Sequence, residues 1–379
     1  MPLPVSFSQH LDSIRYQALR QSVAIQLEFI GLCPLYYVMM KDAAKLDFAD
    51  DSIEVPFVTG TPSGGVWFDV GDALPDGQEV GMMMGYVKNK YCVVGRRTDR
   101  FAQLKRKGHP NEFFDEMQMQ EHQASQALRR TLHQGIWTGT GGKAPESISY
   151  AIEKSAPSAQ TRTITGLNKA TRPDFRNRYV QMTQDASYIA PGSRLPNIIV
   201  AIQNLVRQCT VGNVRPDILV TNKDVFATIA RAVDETPDIG VSIAKREMAH
   251  IGFECFDIMG IPIIWDTFCP DDSVYCLKLS GNKRKSGKWV MGDGADMHKV
   301  DYDSILEDVG KYSKVECGTG ISLVRNKNVI DITFGGGYRS PRSMVEMSWV
   351  ATSLNLMFGG MKNQGVLGSD NGVRLTTGW

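Results

Sequence analysis

The sequence is poor in the features that announce an enzyme or a membrane protein. It has no CxxC pair. Its seven cysteines (Cys33, Cys92, Cys209, Cys255, Cys269, Cys276 and Cys317) are scattered and odd in number, which excludes a zinc ribbon and a thioredoxin-type motif. Its six histidines (His10, His109, His122, His133, His250, His298) form no HExxH and no cluster; His122 and His133 share one helical stretch but lie about three turns apart. No run approaches the roughly 18 apolar residues of a membrane span. The N-terminal stretch MPLPVSFSQHLDSIRYQALRQS is polar where a signal peptide would be apolar, so a reduced, soluble, intracellular product is expected. Neither sign of charge dominates: 42 Lys+Arg stand against 41 Asp+Glu, a net charge of +1. That argues against a chain whose main work is coating nucleic acid, although a locally charged face is compatible with it.

Catalytic motifs are missing as well. No G-x-S-x-G elbow is present. The run TGTGGK (Thr138 to Lys143) has Trp137 where a phosphate-binding loop needs its first Gly, and Ala144 follows the lysine. Counting from Gly281, SGNKRKSGK places Ser286 at the second Gly. The bland readings are a helix C-cap and a solvated hairpin tip. Asp50-Asp51 and Asp271-Asp272 are consecutive, as in solvated turns, not spaced as an acid/base pair. No catalytic, cofactor-binding or metal-ligating residue stands out.

What is present is architecture. At 379 residues and 42% hydrophobic content the chain can bury a sizeable core, with two or three domains expected. The stretch Asn111 to Trp137 holds no Gly or Pro until Gly135 and spaces Phe113, Met117, Ala124, Ala127, Leu128 and Leu132 as one helical face. Asp115 and Glu116 precede Arg129 and Arg130, as the helix dipole prefers. This predicts a spine helix well above the mean length of about 11–12 residues.

Around it the period changes. Residues 7 to 30 read as an amphipathic helix ended by Gly31 and Pro34. Glu54 to Arg97 is rich in Val, aromatics and Gly around the polar turn GDALPDGQEVG, which predicts a long two-stranded ribbon. Such a ribbon is marginal alone and needs a surface to lie on. Residues 143 to 195 are weakly patterned. Then come a helix over Asn197 to Cys209, a strand at Asp217 to Thr221, a helix capped by Asn222, a hairpin turning at Gly260, and a strand from Val274. Met344 to Phe358 reads as one extended run.

This order of parts, with phrases such as LRRTLHQGIWTGTGG, RPDILVTNKDVFATIARAV, GFECFDIMGIPIIWD and SWVATSLNLMFGGMKNQGVLG, resembles the major capsid proteins of tailed double-stranded-DNA bacteriophages, the Hong Kong ninety-seven-like fold. The resemblance runs from about Glu54 to Leu367. It implies an α+β chain: an N-terminal arm (1–53), an extended β-ribbon loop (54–105), a peripheral domain with the spine helix (106–195 and 326–379) and an axial α/β domain (196–325). It implies no enzyme and no cofactor, and a subunit that assembles with itself as hexamers and pentamers into an icosahedral shell around double-stranded DNA, which it touches non-specifically.

The partners implied are a separate scaffolding protein, a portal and a decoration protein, with no membrane. The location implied is the virion, after assembly in the host cytoplasm. Intersubunit-contact candidates are Asp72, Pro75, Asp76 and Gly77 at the ribbon tip, Lys88 and Lys90 on its return limb, Gln120 and Gln123 on the spine, and Asn363 in the tail. Some members crosslink a tip lysine to a peripheral asparagine. Here the tip carries no lysine, so no such link is expected, and the roughly fifty residues before the ribbon favour a separate scaffold. The competing readings are an encapsulin-type compartment shell and a soluble α/β enzyme.

Overall fold

The computed structural model describes residues 34–43, 45–48, 50–59, 81–99, 116–191, 193, 195–212, 214–234, 255–279, 284–285, 288–289, 320–326, 333–334, 338–339, 345–369 and 375–376. The helix expected over 7 to 30 and the ribbon tip at 71 to 81 lie outside these, apart from Gly81. In chain order the principal elements are α1 (Pro34–Asp42), β1 (Lys45–Phe48), β2 (Ser52–Thr59), β3 (Gly81–Lys88), β4 (Tyr91–Asp99), α2 (Glu116–Thr138) and α3 (Ile148–Ala151). They continue with β5 (Arg178–Met182), α4 (Asn197–Cys209), β6 (Ile218–Thr221), α5 (Lys223–Asp234), β7 (Phe256–Ile258), β8 (Ile261–Trp265) and β9 (Ser273–Leu277). The last are β10 (Ile321–Asn326), β11 (Val345–Ser353), β12 (Asn355–Phe358) and β13 (Gly365–Ser369).

The chain divides into two compact units. The larger contains Cys33–Lys90, His133–Asn328 and Leu354–Trp379. Its centre is a six-stranded mixed sheet in the order β5-β13-β9-β6-β8-β7. The interior strands β6 and β9 are buried along their whole length, as near-continuous apolar runs predict for strands covered on both faces. Helix α4 spaces Ile198, Ile202, Leu205 and Cys209 along one stripe and α5 does the same with Val225, Phe226 and Ile229, and both stripes are in the core of this unit. Asn222 caps α5, its Oδ1 accepting the Val225 amide at 2.9 Å. Between β7 and β8 both central residues of the tight turn, Met259 and Gly260, have positive φ (55° and 76°), the geometry of a two-residue hairpin. Here the local signals and the fold agree.

Two strands of this sheet come from elsewhere. β5 pairs in parallel with β13, and β13 pairs antiparallel with β9, so segments near residues 180 and 367 complete a sheet otherwise built from residues 218–277. A second, three-stranded sheet joins β1, β10 and β12. There Arg325 forks onto Asp47, Nε to Oδ1 at 2.8 Å and Nη2 to Oδ2 at 2.9 Å, so the partly buried guanidinium is matched by a bidentate carboxylate. Pro34, expected to end a helix, begins α1 instead: its missing N–H is no loss in a helix's first turn.

The smaller unit includes Tyr91–Leu132 and Val329–Ser353. Its framework is the long antiparallel pairing of β4 with β11, nine residues on each strand from Tyr91↔Ser353 to Val345↔Asp99. Cys92 and Val94 point inward with Val350 onto Ala124 and Leu128 of the spine helix α2. The run read as Met344 to Phe358 breaks at Leu354, where β11 ends and β12 begins. The return limb of the ribbon is likewise two strands: β3 pairs with β2, whereas β4 pairs with β11. Both breaks lie at the boundary of the two units.

In α2 the expected face is rotated. Ala124 and Leu128 are buried, but Ala127 is exposed and Leu132 half-buried, while His133, Ile136 and Trp137 are buried. The last turns exchange polar spacing for aromatic contacts: His133 packs against Tyr36 at 4.7 Å and Trp137 against Tyr275 at 5.2 Å between ring centroids.

Candidate assembly surfaces

Among the described residues, each unit has a sheet face that exposes large apolar side chains. In β4 the side chains alternate, so that with Cys92 and Val94 turned inward, Tyr91, Val93 and Gly95 face out. The register brings Ala351 opposite Val93 and Trp349 opposite Gly95. Val93 is 57% and Trp349 45% exposed, and Tyr91 is close to them in exposure. Scattered apolar residues are normal at a surface, but an aromatic, a β-branched residue and an indole on adjoining strands of one face form a patch.

The second face belongs to the root of the β2/β3 ribbon. Its inner side is Ile53, Val55 and Val87, packed on Val324 and Met357. Beside them Phe57 meets Phe175 edge-on at 5.8 Å. Gly85 allows that approach, since a Cβ there would lie 2.5 Å from the Phe57 ring and 2.7 Å from the Thr165 carbonyl oxygen. The outer side carries Glu54, Pro56, Met84, Tyr86 and Lys88, all exposed. Tyr86 is anchored through its backbone, its N–H donating to Thr165 O at 3.0 Å. The adjoining Gly166 has φ +78° and sits so close that a Cβ would lie 3.0 Å from the Tyr86 nitrogen, so glycine is required there twice over.

The ribbon root is tied down by side chains. Asn89 donates from Nδ2 to Asp50 O at 2.6 Å. Asn355, 2% exposed, accepts the amides of Glu146 (3.0 Å) and Leu356 (2.9 Å) on Oδ1 and donates from Nδ2 to Lys88 O at 2.7 Å. Lys90 turns its ammonium to the carbonyls of Gly141 (3.3 Å) and Gly142, just after α2 ends. Burial raises the Glu146 carboxyl above the ordinary range, and the Thr165 amide and the Lys90 charge oppose that rise.

No family model and no curated protein matches the sequence. Solved structures do match the fold. The cyanophage A-1(L) capsid asymmetric unit superposes with a TM-score of 0.60 at 11% identity, covering 92% of this chain and 97% of that one. The capsid of an empty GTA particle gives 0.57 at 13% identity over 95% and 98%. The holo-SrpI encapsulin complex of Synechococcus elongatus PCC 7942 gives 0.56 at 10% identity over 96% of both chains. The fold is that of the tailed-phage major capsid proteins.

Within this capsid fold the residues singled out from sequence have different fates. Asp72, Pro75, Asp76 and Gly77 lie outside the described residues. Lys88 is exposed on the outer ribbon face opposite Ser52, and Gln123 is exposed on the spine. Gln120 lies on α2, where its side chain is not described. Lys90 and Asn363 are occupied inside the fold. Asn363 is 9% exposed and its Nδ2 donates to Cys209 O (3.1 Å) and Val214 O (3.2 Å), stapling the tail to the end of α4.

The residues that sequence reasoning missed are Tyr91, Val93 and Trp349. Their alternation was legible, but which side would be covered depends on a partner strand more than two hundred residues away. Among the described residues no group of three or more His, Cys, Asp or Glu could hold a metal, and no helix is long and apolar enough to cross a membrane.

Proposed function

We propose that this chain is the repeating subunit of a closed protein shell, the capsid of a tailed phage, built by self-association as hexamers and pentamers around double-stranded DNA. The observation that carries this reading is the near-complete superposition on capsid subunits, with 97–98% of the phage and GTA chains covered. The exposed apolar faces at Tyr91–Val93–Trp349 and Met84–Tyr86 supply what such a subunit needs, namely surface that becomes buried only on association. The ribbon root is anchored through Asn89 and Asn355, and in this reading the segment between β2 and β3 pairs with a neighbouring subunit. A net charge of +1 suits a protein that packs many times over without summed repulsion. In this reading residues 196–325 are the axial domain, 106–195 with 326–379 the peripheral domain, and 1–53 the arm. The role is structural, the location the virion, and the partners a scaffolding protein, a portal and a decoration protein.

A second reading, an encapsulin-type compartment, is favoured by one observation: the encapsulin likeness covers 96% of both chains. Particle content separates the two, because a capsid purified from its source holds DNA and a compartment holds protein cargo. Electron microscopy of the purified chain, alone and with a co-expressed scaffold, tests both: closed shells are expected. Deleting residues 71–81 should leave a folded subunit that builds no shell. Normal shells from that deletion would overturn the role given to the ribbon, and monomers under every condition would overturn the shell itself.

A further inference from the structure

Residues 148 to 182 enclose a buried polar cluster. Lys169 is 0% exposed, the rarest place for a lysine. Its Nζ donates to Ala151 O at 2.6 Å and to Asn177 Oδ1 at 2.7 Å, and lies 3.5 Å from both Gln160 Oε1 and Glu153 Oε1. Asn177 is also 0% exposed. Its Oδ1 accepts the Glu153 backbone N–H at 3.0 Å, and its Nδ2 donates to Glu153 O (3.0 Å) and Arg178 O (3.1 Å). Gln160 fixes the Asn177 backbone from both sides, accepting its N–H and donating to its carbonyl, each at 2.9 Å. The Glu153 carboxylate is aimed by the amides of Arg162 (3.1 Å) and Thr161 (3.3 Å).

An amine, a carboxamide and a carboxylate are therefore held together away from water, with each group orientated by backbone. We propose that Lys169 and Asn177 join in an intrachain isopeptide bond, with Glu153 as the proton carrier. The Lys169 ammonium gives one proton to Glu153, and the neutral amine adds to Asn177 Cγ. The developing oxyanion stays on Oδ1, where the Glu153 N–H already points, as an oxyanion hole requires. A second proton passes from the amine through the carboxyl group to Nδ2, the Cγ–Nδ2 bond breaks, and neutral ammonia leaves, while Glu153 keeps the first proton as an uncharged acid. Atoms and charge balance without an oxidant, a metal or a cofactor.

Three features favour the step. Fixed proximity replaces a bimolecular encounter. Burial holds the lysine down at about 8, against its partner's charge, so that the nucleophilic amine is available near neutral pH. The product also replaces a buried ion pair by a neutral amide and a neutral acid, and burying such a pair is costly even when its partners are matched. The bond closes a loop of residues eight apart in sequence and locks the segment that follows the Thr163–Asn168 hairpin to the residue just before β5.

The test is the intact mass of the purified full chain after complete denaturation. It should lie below the sequence mass by about 17 Da, one ammonia. Tryptic digestion should yield the segment containing Lys169, uncut at that residue, covalently joined to the segment beginning at Asn177. Glu153→Gln should remain at its own sequence mass while keeping a cooperative melting transition. A wild-type chain at full sequence mass, with linear tryptic segments, would overturn the proposal. So would the same mass loss located at Asn177 alone, as an internal succinimide. Glu153→Gln that links as completely as the wild type would overturn the role given to Glu153.

Discussion

Trp349 stands directly opposite Gly95 in the register of β4 and β11, and among the described residues nothing beyond Gly95's own chain neighbours lies within 4 Å of where a Gly95 Cβ would be. The exposed indole therefore stands beside a bare, open backbone position on the outer face of this sheet. Trp349→Lys should change the unfolding free energy of the isolated subunit by no more than about 1 kcal/mol, because the residue is already 45% exposed. At an interface the same change should cost about 2 kcal/mol or more per contact. Shell yield by microscopy should collapse while the subunit's melting temperature holds. Equal loss of both would place Trp349 in the fold and not on an assembly surface.

Asn355 bridges segments 209 residues apart when it accepts the Glu146 amide. Asn355→Ala strands two backbone amides and the Lys88 carbonyl in a site that is 2% exposed. A loss of about 3 kcal/mol in urea unfolding is expected, and Asn355→Asp should recover part of it by keeping the acceptor.

Gly365 has no room for a side chain. A Cβ there would overlap Cys209 Sγ and come within 2.8 Å of Leu205 Cδ1, both in the stripe of α4 that faces the sheet. Gly365→Ala should destabilise by about 1–3 kcal/mol. Pairing it with Cys209→Ala should restore part of that loss, and strictly additive effects in the four-way comparison would contradict the overlap.

The Glu146 carboxyl is raised above its ordinary value of 4.5, first by burial, so the folded chain holds its proton more tightly than the unfolded chain. The stability contributed by the protonated form is complete below about 4.5 and is lost as pH rises through the raised value. Urea midpoints measured from about pH 4 upward should therefore fall less in Glu146→Gln than in the wild type. Parallel slopes for the two proteins would show that Glu146 is not the titrating group.

What the sequence made legible was local chemistry. Asn222 is a cap because its amide can reach Val225, and the Met259–Gly260 turn follows from a residue that accepts positive φ. The spine's length follows from an interval without Pro or Gly. What stayed hidden was non-local. Nothing in Tyr91 to Asp99 says that its partner is Val345–Ser353 in place of the ribbon, and nothing in the GVLGS strand says that it lies inside a sheet formed mostly by residues 218–277. The weakly patterned region after the spine proved to be organised by Lys169, Asn177, Glu153 and Gln160. Periodicity cannot find a core whose cohesion is polar.

The position of β13 has a consequence for timing. Residues 365–369 are an interior strand, hydrogen-bonded to β5 on one side and β9 on the other. A ribosome that has delivered everything through residue 360 has still not delivered the piece that joins these two strands. The central sheet therefore closes only after translation has passed residue 369.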